Sequence, residues 1–200
     1  MDLFTTSATL APIPVRDGAL SFMTQLPLPW SNDEVLARLI DETDWRSDSI
    51  TLWGKQFLQP RLSAWYGEAA YRYSGLRLAP QPFTDLQLAI RAAVEAATGC
   101  TFNSVLLNYY RDGRDSMGMH SDDETELGPA PAIASVSFGA ERVFVLRHKG
   151  TGERLRLNLT DGSLLLMAGS LQQHWSHGIN KTAKPLGARV NLTFRTIIGA

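Results

Sequence analysis

Cysteine is almost absent from this 200-residue chain: Cys100 stands alone. One thiol forms no intrachain disulfide and supplies no cysteine-based zinc site, so a reducing, intracellular setting is expected. No apolar run approaches the ~20 residues that cross a bilayer, and the start, Met1-Asp-Leu-Phe, is acidic where an export signal is basic. We therefore expect no membrane association, with a cytoplasmic location in a bacterium or a nuclear one in a eukaryote. Strong net charge is missing too: 19 basic against 20 acidic residues leave −1, which excludes a generic polyanion-coating protein. The charge is nevertheless uneven. Residues 141–200 hold nine Lys/Arg against three acids, a local +6 that leaves −7 on the first 140. A basic C-terminal part can face phosphates; a merely solvated basic face is the competing reading.

Repeats, low-complexity tracts and interdomain linkers are also lacking, and the length suits one domain, expected as a monomer. Residues 1–28, with prolines at 12, 14 and 27, read as an irregular lead-in. Ser31-Asn-Asp-Glu34 forms a capping box before the apolar stripe Val35, Leu36, Leu39 and Ile40. Residues 50–80 are rich in aromatics and glycine, which suits short strands and turns. A second capping box, Thr84-x-x-Gln87, opens a helix carrying Leu86, Ile90, Ala93, Val94 and Ala97, and Gly99 ends it. From 102 onward seven short β-runs are expected, at 103–110, 132–138, 143–148, 154–159, 163–168, 174–177 and 189–198. Turn signals such as Asp112-Gly113 and Asp161-Gly162 separate them. The expected class is α+β: helices first, then a jelly roll, that is, a double-stranded β-helix.

Three residues carry metal chemistry. His120 and Asp122 form a His-x-Asp pair and His177 follows 55 residues after Asp122. Two histidines and one carboxylate can hold Fe(II) on one face and leave positions open for O₂ and a co-substrate. If 120 and 122 lie in a strand or at its end they point the same way, so one short segment supplies two ligands. His148 and His174 also compete as ligands; His148 sits between Arg147 and Lys149, where cations disfavour a divalent metal. Zinc is the chemical rival for a His₂Asp set. The strand Arg189-Val-Asn-Leu-Thr-Phe-Arg195 favours iron. Its alternate residues Arg189, Asn191, Thr193 and Arg195 share one face, and two guanidinium forks suit a dicarboxylic co-substrate.

Four segments resemble the AlkB family of Fe(II)- and 2-oxoglutarate-dependent dioxygenases that repair alkylated nucleobases. They are Phe102-Asn-Ser-Val-Leu-Leu-Asn-Tyr-Tyr-Arg-Asp-Gly113, His120-Ser-Asp-Asp-Glu124, Ile133-Ala-Ser-Val-Ser-Phe-Gly-Ala-Glu-Arg142 and the 189–195 strand. The likeness runs through residues 50–198 in consistent order and is nearest to the DNA-repair branch. It implies that His120, Asp122 and His177 hold Fe(II). Asn108, Tyr110, Arg189, Asn191, Thr193 and Arg195 would then bind 2-oxoglutarate. The resemblance further implies that Asp123 reads the extruded base, that Tyr71 and Tyr73 form an aromatic lid, and that Trp53 is a finger filling the gap in the duplex. Residues 1–49 become an N-terminal extension and helix, 50–100 a nucleotide-recognition lid and helix, and 101–200 the dioxygenase core. One departure stands out: where that branch often carries a basic cluster gripping the opposite strand, Gln59-Pro-Arg61-Leu-Ser-Ala-Trp65 has a single arginine.

The implied reaction is oxidative demethylation of 1-methyladenine and 3-methylcytosine in alkylated DNA, consuming O₂ and 2-oxoglutarate and releasing formaldehyde, succinate and CO₂. No catalytic group beyond the metal ligands is needed, because the attacked carbon requires no acid or base. The alternatives are the same chemistry on RNA or protein, and a non-enzymatic binding module on the same fold.

Overall fold

The computed structural model describes residues 9–47, 49–52, 55–67, 71–73, 76–78 and 81–198. Along these the chain forms β1 (Ala11–Ile13), β2 (Ala19–Met23), α1 (Asn32–Glu42), β3 (Ser49–Leu52), β4 (Lys55–Leu58), β5 (Leu62–Gly67), β6 (Tyr71–Tyr73), β7 (Leu76–Leu78) and α2 (Asp85–Thr98). Then follow β8 (Ser104–Tyr110), β9 (Met117–His120), β10 (Ile133–Gly139), β11 (Arg142–His148), β12 (Arg154–Leu159), β13 (Leu164–Ala168), the one-turn α3 (Leu171–His174), β14 (Trp175–Ile179) and β15 (Arg189–Arg195).

Two antiparallel sheets face each other, as in a double-stranded β-helix. The larger has the order β1-β2-β13-β10-β15-β8-β5 and the smaller β12-β11-β14-β9. The larger sheet is covered on both faces, and strand parity divides its residues between them. Val105 and Leu107 of β8, Val136 and Phe138 of β10, and Val190, Leu192 and Phe194 of β15 pack with Val35 and Leu39 of α1 and Ile90 and Val94 of α2. Intervening positions such as Leu106, Ile133 and Leu165 face the smaller sheet, packing with Phe144, Leu146, Leu159, Trp175 and Ile179. Burial on both faces explains why every residue of β15 is buried, charged ones included.

The helices begin where local chemistry directs. Ser31 caps α1 by accepting from the Glu34 N–H at 3.2 Å. Thr84 and Gln87 make the reciprocal capping box of α2, and Gly99 takes the left-handed φ of 69° that stops it. Three expectations are corrected. The lead-in is not irregular, since β1 and β2 pair with each other and β2 extends the larger sheet through β13. An eighth strand, β9, was unforeseen after residue 102: its four residues are partly or fully exposed and carry no alternation to detect. Residues 171–174 are helical, so the expected 174–177 run is shifted to Trp175–Ile179.

Candidate metal and co-substrate site

The metal triad forms where β9 meets β14. His120 ends β9 directly opposite His177 in the ladder, with ring centroids 4.4 Å apart. Gly178 permits this approach, because a Cβ there would sit 2.8 Å from the Met117 carbonyl oxygen. Asp122 does not follow strand parity from His120, because it lies in the loop after β9. From that loop its Oδ2 comes within 3.5 Å of His177 Nε2, and ligand atoms of the three residues lie within 4.8 Å of one another.

The donor set fits a divalent cation. His120 Nδ1 lies 2.9 Å from the Gly118 carbonyl oxygen, which can only accept, so the proton sits on Nδ1 and Nε2 keeps its lone pair for a metal. Burial, then repulsion from His177, pushes the His120 pKa down to about 4, leaving the imidazole neutral at physiological pH. Burial alone would raise the Asp122 carboxyl, yet Arg195 and the two histidines hold it well below the ordinary carboxylate range. His120 and Asp122 are therefore deprotonated before a metal arrives.

A second His₂Asp group, Asp17, His148 and His174, also gathers its ligand atoms within 4.8 Å, but its hydrogen bonds speak against a metal. His148 Nδ1 accepts from the backbone N–H of Gly150 at 3.1 Å and Thr151 at 3.0 Å. The ring proton must then be on Nε2, which donates to Asp17 Oδ2 at 3.1 Å. Both nitrogens are engaged and none is left to ligate.

Beside the triad, one cavity between the sheets is lined by Asn108, Tyr110, Arg189, Asn191, Thr193 and Arg195 together with His120, Asp122 and His177. The register explains this convergence: β15 lies against β8 with Arg189 opposite Tyr110 and Asn191 opposite Asn108. Arg195 donates from Nη2 to Asp122 Oδ1 at 2.6 Å, so it belongs to the metal end. Arg189 occupies a different environment, donating to Ser137 Oγ at 2.9 Å with its guanidinium 4.9 Å from the Tyr110 ring centre. Its Nε and Nη1 are buried without a partner, and burial lowers its pKa to about 10. Buried guanidinium donors of this kind call for an anion.

Other residues fall differently. Asn191 donates both amide protons within the protein, to Ser135 Oγ and the Val136 carbonyl, each at 2.8 Å, and Thr193 donates to Asn191 Oδ1 at 3.1 Å. These two side chains hold the cavity floor together. Asp123 is not among the residues lining this cavity; its side chain is 60% exposed and lies 3.6 Å from Lys149 Nζ. Trp53 lies outside the described residues, as do the side chains of Tyr71 and Tyr73, whose backbone forms β6. Sequence reasoning missed Arg61. Although it stands in the segment read for strand gripping, it is 5% exposed and donates from Nε to Asn108 Oδ1 at 2.7 Å. An arginine is only a donor, so this contact pins the amide oxygen of Asn108 and turns its N–H groups elsewhere. A lone arginine before an apolar strand carries no signal of that role.

Residues 21–195 match the 2OG-Fe(II) oxygenase superfamily. Human DNA oxidative demethylase ALKBH2 is 43% identical over 179 residues, covering 83% of this chain and 69% of the human protein. The chain belongs to the AlkB family of 2OG-Fe(II) oxygenases. Rat alpha-ketoglutarate-dependent dioxygenase alkB homolog 3 is 41% identical over 175 residues, covering 82% of this chain and 59% of the rat protein; the chain thus spans about three fifths of that relative. The solved structure of OsALKBH1 matches with a TM-score of 0.65 at 16% identity, covering 92% of this chain and 100% of that one. This last likeness shows the fold alone. Membership of the family brings Fe(II), 2-oxoglutarate and O₂ to the site. Among the described residues no helix is long and apolar enough to cross a membrane.

Proposed function

We propose that this oxygenase is an oxidative demethylase of N-alkylated bases, 1-methyladenine and 3-methylcytosine, in DNA, acting as a monomer. The observation that carries the reading is a cavity in which the His₂Asp triad meets two buried arginines, in a chain 43% identical to a protein named a DNA oxidative demethylase. His120, Asp122 and His177 would hold Fe(II). When bound, the iron couples decarboxylation of 2-oxoglutarate, to succinate and CO₂, to insertion of one oxygen atom of O₂ into a C–H bond of the N-methyl group. The hydroxymethyl product breaks its C–N bond, leaving formaldehyde and the restored base.

The protein's own residues bind and orient. Arg189, with Tyr110 and Ser137 around it, receives the carboxylate remote from the metal. Arg195 receives the nearer one while it keeps Asp122 in place. Arg61 sets the Asn108 amide so that its N–H groups are available to the same acid. The charges agree: Arg189, Arg195 and Asp122 together carry +1, a divalent metal raises this by two, and a dianionic co-substrate offsets that rise. Met117, Phe144, Leu159, Met167 and Ile179 line the remainder and limit water at the reacting carbon. Asp123, beside the metal ligand, would accept from the exocyclic amine of adenine or cytosine once the base is extruded; the methyl group lies on the pairing edge and is out of reach inside a duplex.

The experiment supplies purified protein with Fe(II), ascorbate and 2-oxoglutarate, and measures formaldehyde and succinate with single-stranded, duplex and RNA oligonucleotides bearing one 1-methyladenine. Lesion-dependent formaldehyde from DNA supports the reading. Formaldehyde from RNA alone would transfer the chemistry to RNA, and succinate without formaldehyde on every oligonucleotide would discard a nucleobase substrate.

A further inference from the structure

Asp122 poses a positioning problem. It is 1% exposed, yet it stands in residues 121–124, which have no regular structure, so no ladder hydrogen bond orients its backbone. Its N–H instead donates to Gln172 Oε1 at 3.0 Å. Gln172 is itself buried, on the one-turn α3, with its Nε2 directed at Met167 Sδ, 3.7 Å away. The neighbours of Asp122 are tied to the same segment. Ser121 Oγ donates to the Trp175 carbonyl at 2.9 Å. Lys149 Nζ donates to the Gln172 carbonyl at 2.9 Å and lies 3.6 Å from Asp123 Oδ2. The anchoring segment, 172–175, runs directly into β14 and His177.

We propose that Gln172 is a positioning residue for the metal: by accepting from the Asp122 amide it fixes the carboxylate ligand relative to His177 before the cation binds. The carboxylate is two rotatable bonds from the backbone, so a rotated peptide plane displaces it directly. Arg195 restrains one oxygen of the carboxylate, and Gln172 restrains the backbone behind it. Without an acceptor the buried N–H would face an unmet hydrogen bond, and the loop would turn to find one. Gln172 does this without touching the metal, through one hydrogen bond across 50 residues of sequence.

Metal-free protein is titrated anaerobically with Fe(II) alone, in the calorimeter, and amide hydrogen exchange is followed at Asp122. Gln172→Met keeps the length of the side chain but has no acceptor at that point. It should weaken Fe(II) binding roughly 10- to 100-fold, the usual effect of losing a residue that orients a metal ligand, and speed exchange at Asp122. Gln172→Glu, buried and holding its proton, still offers a carbonyl oxygen and should restore both. The KM for 2-oxoglutarate at saturating Fe(II) should stay unchanged in each. Unchanged Fe(II) affinity in Gln172→Met would overturn the proposal, as would equal weakening in Gln172→Glu. If Gln172→Met fails to fold, the unaltered protein still decides: slow exchange at Asp122 without metal is expected, and fast exchange contradicts a preset loop. No nucleic acid enters these measurements, so their failure and that of the demethylase reading are distinguishable.

Discussion

Replacing Arg189 with methionine should leave the ligand-free protein at least as stable while destroying its hold on 2-oxoglutarate. The guanidinium is 1% exposed, and its Nε and Nη1 are buried without partners. Burial lowers its pKa from the ordinary arginine range to about 10 against the opposing pull of Tyr110; at 1.36 kcal/mol per unit this corresponds to about 3 kcal/mol of uncompensated cost. Methionine removes that cost but forfeits the Ser137 hydrogen bond, about 1 kcal/mol, and the stacking over Tyr110, again about 1 kcal/mol. The difference favours the variant by about 1 kcal/mol, a rise in Tm of roughly 2–4 °C for a chain of this size. With co-substrate the sign reverses. Truncating one partner of a buried, hydrogen-bonded charge pair costs about 2–5 kcal/mol, a loss of roughly 30- to 5000-fold in affinity. Thermal melts with and without Mn(II) and 2-oxoglutarate, beside a calorimetric Kd, measure both halves. A variant that melts well below the unaltered protein when ligand-free, or that still binds 2-oxoglutarate normally, would refute the assignment of Arg189 as an anion receptor held in readiness.

Arg61→Leu should raise the KM for 2-oxoglutarate roughly tenfold, about 1.4 kcal/mol for a lost charge-assisted hydrogen bond, with kcat at saturating co-substrate unchanged; a fall in kcat alone would contradict its link through Asn108. Asp123→Ala should spare uncoupled consumption of 2-oxoglutarate but weaken demethylation, and equal loss of both would remove its base-reading role. In metal-free protein His120 has a folded pKa of about 4 against an ordinary 6.5, so the unfolded chain binds the extra proton between those values. Stability should therefore fall as pH drops from 6.5 towards 4, by at most about 3 kcal/mol from this group. His120→Asn should flatten that slope in urea titrations, and an unchanged slope would place the acid sensitivity elsewhere.

Much of the site was legible because its chemistry resides in residue types at fixed spacing. The alternation of Arg189, Asn191, Thr193 and Arg195 names one face of a strand, since side chains in a strand alternate whatever the fold around it. The capping residues Ser31, Thr84 and Gln87 likewise marked the helix starts, because a cap is satisfied by atoms three residues away. By contrast, β1 and β2 are strands only because β13 offers an unpaired edge, and β9 only because β14 lies beside it. β9 shows no local apolar alternation.

The sequence by itself thus determined the metal-ligand types, the arginine-bearing strand and the order of helices before sheets, all properties of neighbouring residues and their chemistry. Tertiary structure alone decided that Asp122 reaches the metal position from a loop, that Gln172 and Arg195 hold it there, and that Arg61 turns inward to Asn108. Those choices rest on contacts between residues 47 to 73 apart in the chain, which local propensity does not encode. They exist because two sheets closing on one another leave each buried polar atom to find its partner across the core.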